Sequence, residues 1–224
     1  MALDSTHGVN APNIGFTEDG IERSFQVNFL SHFLLFQCLR EQLTDQAIVA
    51  MTGSGTHDPA EKTPTPAPRH ADAEWLAYPH RDPERDRFGP RAAGRAYTAS
   101  KLCCIVMAKE IARRFPKLCS ASFDPGFVPS TRLAREFPPL LAAVVKRIVP
   151  LLMPADRTST LEAAAAAYAD VLLGHRSPAC NGGYLCVRDQ ALIDVQPSAL
   201  ARGAEAGADL WADSLELLNQ LGPS

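Results

Sequence analysis

The chain has 224 residues, 46% of them apolar, and a formal charge of -3. That length buries one sizeable core and is short for two domains. The mild acidity argues against nucleic acid or an anionic membrane as the main partner. Residues 1–7 show neither the basic nor the apolar region of a secretory leader, so a cytoplasmic protein is expected. Six cysteines occur without Cys-x-x-Cys spacing. They read as buried, reduced thiols, and no metal site is expected.

Residues 21–43 read as one long helix, with Ile21, Phe25, Phe29, Phe33 and Phe36 on a common face. Thr17, Glu18 and Asp19 give it an acidic entry. Residues 47–51 form a short apolar run ending in Thr52-Gly53-Ser54-Gly55, which suits a buried parallel strand entering a turn. Residues 57–90 carry seven prolines and mixed charges. They cannot form one regular helix and read as a surface insertion, extending to about residue 92, with Trp75, Leu76 and Tyr78 pinning its middle.

Helical periodicity resumes over residues 95–115, followed by a strand at 118–123. Residues 138–154 are largely apolar but broken by Lys146, Arg147 and prolines, too short a run to span a bilayer. They suit a flap over an apolar substrate, contact with a membrane surface, or core packing. An alanine-rich helix is expected over 157–173, a third strand over 183–187 and a last amphipathic helix over 205–221. Strands alternating with helices imply a single α/β domain with a parallel sheet, whose ligands sit beyond the carboxyl ends of the strands. Ser54 and the Asp124-Pro125-Gly126 turn both follow strands, on that edge.

Tyr97 and Lys101 lie four residues apart in the helix expected over 95–115. That spacing puts both on one face. A free phenol titrates near pH ~10, and a neighbouring ammonium favours the phenolate, moving the group toward acid-base work at neutral pH. His57, three residues after Ser54, invites comparison with a Ser-His hydrolase pair. No Gly-x-Ser-x-Gly elbow surrounds that serine, because Thr52 precedes Gly53.

The ordered set Asn10-Ala11-Pro12, Gly20-Ile21-Glu22, Val27-Asn28, Thr52-Gly53-Ser54, Tyr97-x-x-x-Lys101 and Pro125-Gly126 resembles the short-chain dehydrogenase/reductase superfamily over about residues 10–190. The long insertion between the serine and the tyrosine is most similar to the retinol-dehydrogenase and protochlorophyllide-reductase-like branch. The resemblance implies a hydride transfer between NADP (or NAD) and a hydrophobic carbonyl or alcohol. Tyr97 is then the general acid-base. Lys101 holds the nicotinamide ribose and tunes Tyr97, Ser54 binds the substrate oxygen, and Asn28 anchors a proton-relay water. Asn10, Pro125, Gly126, Val128 and Thr131 complete the cofactor side. Other readings stand beside these. Asn28 could be a solvent-facing helix residue, Thr52 or Thr56 could supply the hydroxyl in place of Ser54, and Thr131 could only cap a helix.

The sequence departs from the family in two places. Position 12 is proline where the family's Asn-Ala-Gly has glycine, and no Gly-x-x-x-Gly-x-Gly turn for a pyrophosphate precedes Asn10. The expectation is therefore a partial Rossmann-like, doubly wound parallel sheet: the carboxyl-terminal part of the family domain, with about three strands and flanking helices. The strand at 47–51 would expose an edge, which favours association into homo- or hetero-oligomers. Two functions follow: a truncated short-chain oxidoreductase, or a catalytically inactive homologue acting as a binding or regulatory partner.

Overall fold

A computed structural model describes residues 2–3, 13–87, 89–129, 154–175, 182–203 and 205–222. Asn10, Thr131 and nearly all of the 138–154 run lie outside the described residues. The sheet has five strands in the order β1 (Ala2–Leu3), β2 (Ile48–Thr52), β3 (Cys119–Asp124), β4 (Gly183–Arg188) and β5 (Ala191–Val195). The first four are parallel and β5 pairs antiparallel with β4. The three strands legible in the sequence form the centre, and two more join them. One is the two-residue pairing of Ala2–Leu3 with Ala50 and Met51. The other is the hairpin strand β5, reached through Asp189 and Gln190, which both adopt positive φ as a two-residue hairpin turn of the primed type demands.

Side chains alternate across the sheet as strand geometry requires. Val49, Met51, Tyr184 and Cys186 face a layer built by the helical segment of residues 23–42 (α1), α3 (Pro90–Arg114) and α6 (Ala206–Leu221). Ala50, Ala121, Phe123, Leu185 and Val187 face α4 (Leu161–Leu172) on the other side. The alanine run of α4 buries Ala164 and Ala167, and Tyr168 stacks on Phe123 with ring centroids 4.7 Å apart. In α1 the aromatic ladder is buried as its spacing predicts, with Phe25 and Phe29 at 5.3 Å and Phe29 and Phe33 at 6.1 Å. Trp211 of α6 meets Phe33 edge-on at 5.0 Å, which locks the two helices together. The opposite face of α1 leaves Leu34, Leu35 and Leu39 between 38% and 46% exposed.

The insertion is anchored rather than loose. It contains the short helix α2 (Ala73–Ala77), capped by Asp72, whose carboxylate accepts from the Trp75 amide at 2.8 Å. Thr98 of α3 donates to the Pro66 carbonyl at 2.8 Å and Arg95 donates to that of Ala67. Arg69 bridges Asp82 at 2.8 Å and Asp86 at 3.3 Å. Helix α3 begins at Pro90, five residues earlier than its periodicity suggests, because proline is suited to a first helical turn. The four-residue helix α5 (Ala199–Arg202) follows β5. Cys38, Cys103, Cys104 and Cys186 are free thiols. Cys119 is disulfide-bonded, which corrects the expectation of reduced thiols throughout. Pairing follows spatial approach, which spacing along the chain does not report.

Candidate active site

The carboxyl ends of β2 and β3 and the amino-terminal half of α3 meet at one end of the sheet. Lys101 is the unusual group there. It is 2% exposed, and its ammonium donates to the Thr52 carbonyl, the last residue of β2, at 3.1 Å. A buried ammonium needs such partners. The Lys101 Nζ also lies 5.7 Å from the centroid of the Tyr97 ring, so the four-residue spacing does bring phenol and cation together on the buried side of α3.

Asn28 does not face solvent. It is fully buried, in a π-helical turn over Gln26–Leu30 that interrupts α1, a device common at functional sites. Its side-chain amide donates to Ser100 Oγ at 3.0 Å, and Ser100 in turn donates to the Tyr97 carbonyl at 2.7 Å. The Asn28 carbonyl receives the Cys104 thiol at 3.3 Å and lies 2.9 Å from His32 Nδ1. Nothing in the sequence motifs distinguishes Ser100 and Cys104 as site residues. The only signal available was their position, one residue before Lys101 and one turn after Ser100.

Ser54 follows β2 by two residues. Its hydroxyl accepts from the Thr56 amide at 3.3 Å and from the Thr56 hydroxyl at 3.0 Å. Both contacts use oxygen lone pairs, so the Ser54 hydrogen keeps no partner among the described residues. Of the three hydroxyls near this turn, Thr56 serves Ser54 and not the reverse. His57 turns away from that hydroxyl. Its Nδ1 meets the Ser54 carbonyl at 2.7 Å and its Nε2 accepts from the Ser198 amide at 3.1 Å. Both nitrogens are therefore taken by backbone, and a Ser-His hydrolase pair is absent. Burial holds the imidazole below its ordinary pKa, against the raising effect of the Ser54 carbonyl and nearby carboxylates.

The turn after β3 is set by Asp124. One carboxylate oxygen accepts from the Gly126 amide at 2.9 Å and the other from the Tyr184 hydroxyl at 2.8 Å. Burial and the Asp124 charge push the Tyr184 phenol well above its usual range, so it stays a donor. Gly126 has φ of +74°, and a Cβ there would come within 2.6 Å of Ser159 Oγ and 3.0 Å of the Arg157 carbonyl. Phe127 bridges Thr158, and Val128 is buried beside it. Glu61 closes this end of the molecule, pairing with Arg157 at 2.7 Å and Arg188 at 2.9 Å. Among the described residues no cluster of His, Cys, Asp and Glu could hold a metal, and no helix is long and apolar enough to cross a membrane.

Of the site residues expected from the sequence, Asn28, Tyr97 and Lys101 are joined through α3. Ser54 is tied to them by the Thr52 carbonyl, and Pro125, Gly126 and Val128 stand on the adjoining turn. Asn10 and Thr131 lie outside the described residues. No family model matches the chain. It is 33% identical to the short-chain dehydrogenase iccH of Talaromyces variabilis, over 89% of this chain and 65% of that protein. It is 30% identical to the polyprenol dehydrogenase of Mus musculus, over 90% of this chain and 55% of that one. The chain thus spans less than two thirds of the length of these relatives. A crystal structure of an uncharacterized protein from Mycobacterium paratuberculosis shares the fold with a TM-score of 0.59 at 22% identity, covering 97% of this chain and 66% of that one. Matches along nearly all of the chain, together with the ordered motifs and the parallel sheet, place it: the chain belongs to the short-chain dehydrogenase/reductase superfamily.

Proposed function

We propose that this chain carries the proton-transfer half of a nicotinamide-dependent oxidoreductase, acting on a hydrophobic carbonyl or alcohol with NADP (or NAD). The observation that supports this most is the buried Lys101 ammonium beside the Tyr97 ring, held by the Thr52 carbonyl of the strand that leads to Ser54. When bound, the nicotinamide supplies or accepts the hydride. Tyr97 gives a proton to the carbonyl oxygen in reduction and takes it back in oxidation. Lys101 favours the phenolate by its charge and offers donors to a ribose. Ser54, with its unspent hydrogen, stabilises negative charge on the substrate oxygen. Asn28, through Ser100, keeps the π turn against α3, and the resemblance gives it the anchoring of a relay water.

The residues present fit the nicotinamide end of such a cofactor. Gly126 lies on the turn that Asp124 fixes, packed too closely against Ser159 and Arg157 to carry a side chain, and with Pro125 and Val128 that turn would receive the carboxamide. Asn10 and Thr131 are proposed for the same side. The preference for NADP rests on likeness to the retinol-dehydrogenase and protochlorophyllide-reductase-like branch. An apolar substrate is in keeping with the 138–154 run and with a relative named for a polyprenol.

A second reading, a non-catalytic homologue that binds or regulates a partner, is favoured by one observation: no Gly-x-x-x-Gly-x-Gly turn occurs anywhere in the sequence. Turnover separates the two. Reduction of phenanthrenequinone with NADPH in large excess should fall by about 10²–10⁴-fold in Tyr97→Phe while the melting temperature stays near that of the parent. Undiminished turnover in that variant would refute the role of Tyr97. A parent chain that binds NADPH but turns over no carbonyl would support the second reading.

A further inference from the structure

We infer that His57 is a positioning residue for Ser54, its neutral ring tying the Ser54 turn to the segment that enters α5. This rests on the oxidoreductase reading for what Ser54 does, and on geometry alone for how Ser54 is held.

The two ring contacts are chemically distinct. The Ser198 amide can only donate, so Nε2 must be the bare nitrogen, and Nδ1 must carry the hydrogen given to the Ser54 carbonyl. One tautomer satisfies both bonds. Protonated imidazole would set a second donor against the Ser198 amide. The contact spans 141 residues of sequence, and Ser198 is itself fixed as the cap of α5, its hydroxyl accepting from the Ala201 amide at 3.3 Å. His57 is 1% exposed, and its ring meets Tyr184 edge-on at 5.0 Å. Tyr184 holds Asp124, and Asp124 holds the Gly126 amide. The ring thus stands between the two turns that frame the site, with Asp58 and Glu61 of its own loop and Asp124 of β3 as the charged groups facing it.

A loop serine held by its own backbone turn alone would sample several placements. A displacement of about 1 Å in a reacting group costs up to ~10²-fold in rate. A donor bonded to the Ser54 carbonyl and anchored to a distant capped helix removes that freedom.

Two measurements test this. Nitrogen-15 NMR of the unliganded chain at neutral pH should show His57 as the Nδ1–H tautomer with an unprotonated Nε2. The Ser198 amide should exchange at least about tenfold faster in His57→Phe than in the parent. An Nε2–H tautomer, or a Ser198 amide indifferent to the substitution, would overturn the inference without any activity being required. In turnover with NADPH and phenanthrenequinone, His57→Phe should lower kcat about tenfold or more with KM for NADPH unchanged. His57→Asn, whose amide can reach the Ser54 carbonyl from the position of Nδ1, should recover most of that loss, and His57→Gln should not. If Ser54→Ala abolishes turnover and His57→Phe leaves it intact, the positioning role fails. If Ser54→Ala itself leaves turnover intact, the reading of Ser54 as the hydroxyl at the substrate oxygen is what fails.

Discussion

At the scale of single residues, the site depends on groups whose state is set by what surrounds them. Lys101 is buried with its ammonium donating to a strand-end carbonyl, and Tyr184 is kept protonated by burial and by the carboxylate it serves. Gly126 illustrates how a position becomes irreplaceable. Both Gly20 and Gly126 have positive φ, yet a Cβ at Gly20 meets nothing within 4 Å while one at Gly126 meets Ser159 and the Arg157 backbone. Gly20→Ala should therefore lose only the left-handed strain, about 1–2 kcal/mol. Gly126→Ala should lose a further ~1–3 kcal/mol from overpacking. Urea denaturation of the two variants measures the difference, and equal losses would contradict it. Glycine after Pro125 was visible in the sequence as a turn. The need for it came from Ser159 and Arg157, which lie more than thirty residues away, beyond the reach of local pattern.

At the scale of elements, α1 shows both what periodicity conveys and what it misses. The four-residue aromatic spacing specified the buried face, because side chains one turn apart share a side of a helix. The π turn at Gln26–Leu30 left no such trace; in it the Asn28 side chain donates to Ser100 of α3, a contact 72 residues away that periodicity does not report. The entry to α1 carries a pH dependence. Glu22 caps it by accepting from the Phe25 amide at 2.8 Å, and is 2% exposed. Burial raises its pKa from 4.5 to about 7, with backbone hydrogen bonds opposing. Below pH 4.5 the carboxyl is protonated folded or unfolded and costs nothing. As pH climbs toward about 7 the unfolded chain ionises first, so stability declines by about 3 kcal/mol in total and then levels off. Glu22→Gln keeps an acceptor for the cap without the charge. Its melting temperature should match the parent at acid pH and exceed it above neutrality, and a constant difference across pH would contradict this account.

At the scale of the whole molecule, a three-layer sandwich presents one sheet edge that we propose for the nicotinamide end, and the sequence offers no glycine-rich turn for a pyrophosphate. Charge-assisted hydrogen bonds of the kind such a turn makes contribute about 1.5–3 kcal/mol each. This 224-residue chain should accordingly bind NADPH orders of magnitude more weakly than an enzyme with the full phosphate cradle. Calorimetry giving a micromolar Kd would show that other groups take over the phosphates. The exposed Leu34, Leu35 and Leu39 of α1 belong to the same picture, a helix face that the described residues leave uncovered.

The sequence by itself determined the α/β class, the three central strands and the placement of Ser54 and the Asp124-Pro125-Gly126 turn after strands. Helical and strand periodicity, turn residues and the ordered motifs are all local properties of the chain. Tertiary structure alone decided which partner each of those residues takes. It made His57 a backbone strap rather than a base for Ser54, put Ser100 between Asn28 and Tyr97, and turned Arg157 and Arg188 toward Glu61. Except for the one-turn contacts of His57 with Ser54 and of Ser100 with Tyr97, these bonds join groups far apart along the chain. Their geometry follows from how the layers close, which no local spacing encodes.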